Sequence, residues 1–297
     1  MTLGSITQAL ENLAPLSWQE EYDNSGLQLG LFDDKGAPLG SDATVSGILL
    51  CLDVTEAVID EAVEKGCNLI VSHHPLLFRP LKNVRGEAFP QRCVARALRR
   101  GVAVYSAHTH LDNAPGGVSW EMAGRIGLCE VRTLAPLEVE DGQGAGSASS
   151  APAPGSGVRS RSGVPGSGVI GVLPQPRPLE DFVARLSDVF SAPALRYYAP
   201  SHSEGRQKLI RTVALCGGSG GELVRDAVTA HADCFVTGEI RYHDYFEAGD
   251  CALVALGHYE SEQFTMDLLC RYLKETLPEI ADRIFKTALN TNPLANG

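Results

Sequence analysis

The chain writes one stretch twice, and that repeat narrows what it can fold into more than any other feature. Residues 48–74 read ILLCLDVTEAVIDEAVEKGCNLIVSHH, and residues 213–239 read VALCGGSGGELVRDAVTAHADCFVTGE. Cys51 falls on Cys216 and Asn68 on Asp233; one place displaced, Glu56 falls on Glu222, Val58 on Val224 and Asp60 on Asp226. Each copy is a short apolar run, a turn, a segment of helical period, a second apolar run and a polar pair. Short apolar runs alternating with amphipathic helices are the pattern of a mainly parallel sheet. The expected fold is α/β, two similar lobes made by internal duplication.

The flanking segments extend the pattern. Ile6, Leu10 and Leu13 stand at helical spacing over 5–14, behind a Ser that can cap the helix. Asp23-Asn24-Ser25-Gly26 is a turn signal, in which Asp23 and Asn24 read first as turn-stabilising and second as lining a site. Strands are predicted over 46–52, 68–71, 102–105, 168–173 and 252–256. Helices are predicted from near Thr55 to Lys65, over 88–100 with Gly101 as the stop, and over 178–190. Residues 141–168 collapse to Gly, Ser, Ala and Pro and cannot bury enough apolar surface to offset ordering, so they read as a flexible insertion. The expected organisation is a first lobe over 1–130, a second over 169–249, and a segment 250–297 that carries His258 and Glu262 and packs with the first lobe.

A formal net charge of −11, with no block of like charge, argues against nucleic acid and anionic membranes as main partners. Two local basic groups, Arg79 with Lys82 and Arg85, and Arg96 with Arg99 and Arg100, read as solvated surface. The eight cysteines form no C-x-x-C pair, and most lie in apolar runs, where free Cys is a small hydrophobe. No run approaches a membrane span, and the N-terminal segment lacks the basic and apolar stretches of a signal peptide. The cytoplasm is the expected compartment.

His73-His74 follows the apolar run 68–71, at the end of a strand, where open α/β sheets place their ligands. Neighbours on a strand point to opposite faces, so both rings serve one centre only if the strand gives way there or two ions are held. His108-x-x-x-Asp112 follows the first copy of the repeat and His258-x-x-x-Glu262 the second, each after an apolar strand. Residues four apart share one side of a helical turn. Imidazole with carboxylate suits Zn, Mn, Fe, Co or Ni. One such pair arises by chance on many helices; two, with a His pair, all at strand ends, point to a metal site. The glycine loop 216–221 reads first as a tight turn needing positive φ, with an anion cradle as the alternative. It lacks the Lys-Ser/Thr ending of a P-loop.

With those residues assembled, the chain resembles the type 2 GTP cyclohydrolase I homologue family, the NIF3-like proteins. The likeness rests on EEYDNSGLQLG, VSHHPLLF, AHTHLDNAPGGV, ALCGGSGG, FVTGEI and GHYESE, in family order from about Leu16 to Glu262. It implies two similar α/β lobes, two divalent metal ions in a cleft between them, and assembly as a ring-shaped homohexamer. Carried over by position, the metal ligands are His73, His74, Asp112, His258 and Glu262, with Glu262 as the bridging carboxylate. His108 is implied as a neighbour or further ligand, and His110 as a second neighbour or a surface residue. The implied chemistry is hydrolysis, a metal-activated water attacking the purine ring of GTP, with His108, Glu239 and His243 as candidates for acid–base work. His243 reads equally as a helix-surface residue. The alternatives are a dinuclear hydrolase of a phosphoester or cyclic amide, and a non-catalytic metal-binding or partner-binding protein.

Overall fold

The computed structural model describes residues 1–137, 163–200 and 208–295. In chain order the elements begin α1 (Leu3–Leu13), β1 (Gly26–Leu29), β2 (Ile48–Cys51), α2 (Glu56–Glu64), β3 (Leu69–Ser72), α3 (Phe89–Arg100), β4 (Ala103–Ser106) and α4 (Thr109–Asp112). They continue with α5 (Val118–Ile126), β5 (Cys129–Pro136), β6 (Gly166–Pro178), α6 (Leu179–Phe190), β7 (Arg196–Tyr198), β8 (Leu209–Leu215) and α7 (Val224–Thr229). The last are β9 (Cys234–Thr237), β10 (Ala252–Ala255), α8 (His258–Glu262), α9 (Thr265–Thr276) and β11 (Ile284–Lys286). Among the described residues no helix is long and apolar enough to cross a membrane. All eight cysteines are free thiols.

Two compact units result, Met1–Leu111 with Phe264–Ala295, and Asp112–Gln263. The first boundary therefore stands at Leu111 instead of 130, because β5 pairs with β6 and α5 packs on β6 and β8. The returning segment joins the first unit from Phe264 and not from 250, which leaves His258 and Glu262 in the second unit.

The first unit carries a five-stranded sheet in the order β1-β4-β3-β2-β11, parallel except for β1. Every residue of β2, β3 and β4 is buried, as a strand covered on both faces requires. Leu49, Cys51, Ile70 and Val104 meet Val58, Ile59, Cys93, Val94 and Ala97 of α2 and α3. Alternate residues face the other way, where α9 packs on β2 and α1 on α9. Each fully buried Val, Leu or Ile contributes about 1.5–3 kcal/mol, so these three strands anchor the core of the unit. Thr55 caps α2 by accepting from Val58 N, and Gly101 ends α3 at φ 64°. α1 begins two residues before the predicted start, because Thr2 is the cap and Ser5 N is its donor.

The second unit carries a six-stranded sheet, β5-β6-β8-β9-β10-β7. Its parallel centre repeats that of the first in register. Ile48 lies opposite Leu69 and Leu69 opposite Ala103; Val213 lies opposite Cys234 and Cys234 opposite Ala252. In both units an antiparallel edge strand, β1 or β7, flanks the third core strand and precedes the first in sequence. The overlay found in the sequence is thus an overlay of strand pairing. Residues 138–162, most of the predicted insertion, lie outside the described residues. Its last residues depart from the prediction: Gly166-Ser167-Gly168 is the start of β6. Glycine serves there because a Cβ at Gly166 would stand 2.3 Å from Ala135 O, and one at Gly168 would stand 3.0 Å from Leu215 O.

Candidate metal centre

In the first unit β3 ends at Ser72 and the chain bends at His73 and His74. The backbone pairing nevertheless continues: His73 N donates to Cys51 O at 3.1 Å and His74 N to Leu52 O at 2.9 Å. Two hydroxyls at the strand ends hold the same peptides. Ser106 Oγ donates to His73 O and Ser72 Oγ to His74 O, each at 2.8 Å. The bend breaks the strand alternation, so the two rings lie 5.0 Å apart between centroids. His108, just beyond β4, joins them at 5.4 Å from His73 and 5.7 Å from His74.

The Nδ1 atom of each ring meets an acceptor. His73 Nδ1 lies 2.7 Å from Ala107 O, and a carbonyl only accepts, so the neutral ring carries its lone pair on Nε2. His74 Nδ1 lies 2.7 Å from Asp53 Oδ1, whose partner oxygen accepts from Thr291 Oγ1 at 2.7 Å. His108 Nδ1 lies 2.8 Å from Asp23 Oδ1. Asp23 Oδ2 accepts from Ser25 Oγ at 2.6 Å and from Thr109 N at 3.1 Å. Burial acts to raise the Asp23 pKa, but the bonds and charge of His108, with Ser25 and Thr109, outweigh it and hold the carboxyl well below the usual range. Carboxylates and carbonyls behind an imidazole fix its tautomer and strengthen it as a ligand.

The second unit presents His258 and Glu262 on α8, one turn apart. His258 Nε2 lies 3.2 Å from Glu262 Oε2, and its Nδ1 lies 3.5 Å from Glu239 Oε1. Glu262 is 3% exposed, while Glu239 is exposed. The glycine loop exists to let Glu262 in. Gly218 has φ +61°, and a Cβ there would stand 2.3 Å from Glu262 Oε1. Gly218 N donates to Ser261 Oγ and Gly220 N to Thr237 Oγ1, both at 3.0 Å, so these amides are engaged and the tight-turn reading is the one the structure supports. Burial pushes the Cys216 thiol pKa up, and the carboxylates of Asp112, Glu222 and Glu262 push it further. Asp112 and Glu262 thus belong to one acidic surrounding, and Cys216 stays a protonated thiol within it.

Other expected residues fall elsewhere. His110 is no surface residue: it is 1% exposed, with its ring 6.5 Å from Tyr105. Burial lowers its pKa to about 4, Asp23 pulling it up and His73 and His108 pushing it down. His243 sits on an exposed 3-10 turn, edge-on to Tyr242 and tilted against Phe246, which is the surface reading. Asp53, Ser72 and Ser106 were not singled out from the sequence, and Asp23 was read first as a turn residue. Their only signal was position: each stands at or just past a strand end or in a turn, and nothing in the residue order shows which imidazole it serves. His73 and His74 of the first unit and Glu262 of the second each offer a donor atom of a type that suits a metal.

A model of the Duf34/NIF3 (NGG1p interacting factor 3) family matches residues 1–293. The chain belongs to that family. Among Duf34/NIF3 relatives, NIF3-like protein 1 of Drosophila melanogaster is 30% identical over 294 residues, covering 98% of this chain and 88% of its own. A protein named GTP cyclohydrolase 1 type 2 homolog, from Clostridium acetobutylicum, is 28% identical over 277 residues, 92% of this chain and 89% of its own. Among solved structures, Staphylococcus aureus protein SA1388 is similar with a TM-score of 0.79 at 26% identity, covering 100% of this chain and 99% of that one. The α/β fold in two related sheets is that of the Duf34/NIF3 proteins.

Proposed function

We propose that the chain is a divalent-metal-dependent hydrolase that opens the purine ring of a nucleotide, with GTP as substrate. His73, His74, Asp112, His258 and Glu262 are the ligands of a pair of divalent ions in this reading. One observation carries it: His73 and His74, clustered with His108, each turn Nδ1 to an acceptor, the arrangement that puts the ligating lone pair of the neutral ring on Nε2. Neutral imidazole and a buried carboxylate together suit Zn, Mn, Fe, Co or Ni. Bound there, a divalent ion supplies Lewis acidity and lowers the pKa of a water to about 7.

The remaining work falls to the chain's own side chains. His108, its ring oriented by the bond from Nδ1 to the Asp23 carboxylate, is the first candidate for acid–base work. Glu239, exposed beside His258, is the second candidate. Phe78 stands edge-on to His108 with centroids 6.1 Å apart, and Tyr22 edge-on to Phe78 at 6.4 Å. Both rings are exposed, and an aromatic surface beside the imidazoles suits a planar base. The name borne by the Clostridium relative supports GTP as the first substrate.

One water added at C8 of the purine opens the five-membered ring to a formamide, and a second water hydrolyses that formamide, so that C8 leaves as formate and the nitrogen is left as an amine. Protein loaded in turn with Zn, Mn, Fe, Co and Ni and incubated with GTP is expected to release formate with at least one of them. Formate from none overturns the GTP assignment. Phosphate released in its place would reassign the site to phosphoanhydride hydrolysis. The family resemblance also implies a ring-shaped hexamer, which light scattering checks as a particle six times the 31.6 kDa chain.

A further inference from the structure

Helix α3 carries Arg92, Arg96, Arg99 and Arg100 at spacings of four, three and one, which puts all four guanidinium groups on one face. They line a cavity of about 520 Å³ with Glu56 of α2 and Gly86, all within the first unit. Like charges at that spacing repel, so the chain needs a reason to collect them. Two are held in place. Arg92 Nε donates to Glu56 Oε2 at 3.0 Å, and Arg96 Nη1 to Asp60 Oδ2 at 2.6 Å. Backbone carbonyls fix them further, Glu87 O for Arg92 and Glu56 O for Arg96. Arg99 and Arg100 form no ion pair among the described residues. With Glu56 and Asp60 balancing two of the four, the cavity keeps two positive charges in a chain whose net charge is −11.

The helix dipole accounts for basic residues in the last turn of α3. It does not account for their alignment with two anchored guanidiniums around a cavity of ligand size. Guanidinium forks match the oxygens of phosphoryl groups, and rigid neighbours lower the cost of binding them. A concave site excludes a duplex and fits a small molecule. We propose that this cavity binds a short chain of phosphoryl groups, free or carried on a nucleoside, at a site separate from the metal ligands.

The experiment is calorimetric titration of the full-length protein, kept metal-free with chelator at low salt. Inorganic tripolyphosphate and GTP are the two probes. Saturable binding of one per chain is expected, weakened about tenfold or more in Arg99→Gln/Arg100→Gln. Arg79→Gln/Lys82→Gln removes the same charge outside the cavity and should leave affinity within about twofold. GTP binding much tighter than tripolyphosphate assigns the nucleoside form; equal affinities assign the phosphoryl chain alone. Absence of saturable binding by either probe, or equal weakening in both double variants, overturns the proposal. Because no metal is present, failure here leaves the hydrolase reading untouched.

Discussion

Asp23 Oδ1 lies 2.8 Å from His108 Nδ1, joining residues 85 apart in the chain. The same carboxylate holds Thr109 through backbone and hydroxyl, so it fixes the direction in which the chain leaves β4 as well as the tilt of the ring. Turn and site are one structure here.

Asp23→Asn keeps the shape and removes the charge behind His108. The expected result is a loss of metal affinity or turnover of about 10–100-fold, with a modest fall in thermal stability. Metal titration monitored by competition with a chromogenic chelator measures it. Unchanged affinity together with unchanged turnover would deny Asp23 its orienting role.

His74→Ala and Glu262→Ala should each lower the metal content while leaving the secondary structure intact. Both side chains stand outside the apolar clusters that hold the sheets together. Elemental analysis beside circular dichroism tests this; full metal content in both variants rules the ligand assignment out.

Gly218→Ala places a methyl group where Glu262 Oε1 now lies and forces a left-handed φ on a residue with a Cβ. Backbone strain alone costs about 1–2 kcal/mol. The variant should be less stable by at least that amount and should bind metal poorly, because Glu262 is displaced. Denaturant unfolding and metal analysis of the same sample separate the two effects.

His110 makes the metal-free protein acid-sensitive. Its imidazole titrates at 6.5 when exposed and at about 4 in the fold. Between those values the unfolded chain takes up a proton that the folded chain refuses. Stability is therefore full above pH 6.5 and falls as pH drops toward 4, by about 3 kcal/mol from this group. Urea midpoints of metal-free wild type and His110→Leu at pH 7 and pH 4.5 test it: the variant should lose less on acidification. Equal losses would place the sensitivity elsewhere.

The parallel cores were legible in the sequence because strand and helix periods are local properties. The repeat at 48–74 and 213–239 returns in the structure as one pairing register used twice, since a duplicated strand keeps its neighbours. The histidines proposed as donors in the first unit do stand where the sequence puts them, just past the end of a core strand. What escaped was their support. Asp53 reaches His74 across 21 residues and Asp23 reaches His108 across 85, and no local spacing records such contacts. Of the two readings of His110, neighbour of the site or surface residue, the second fails because tertiary packing closes over a ring that the polar run around it would leave exposed.

The hydroxyls of Ser72 and Ser106 clasp the carbonyls of His74 and His73, so the directions of two imidazoles are set by the sheet itself. Under the metal-centre reading proposed above, an incoming ion would meet rings whose directions main-chain pairing has already set.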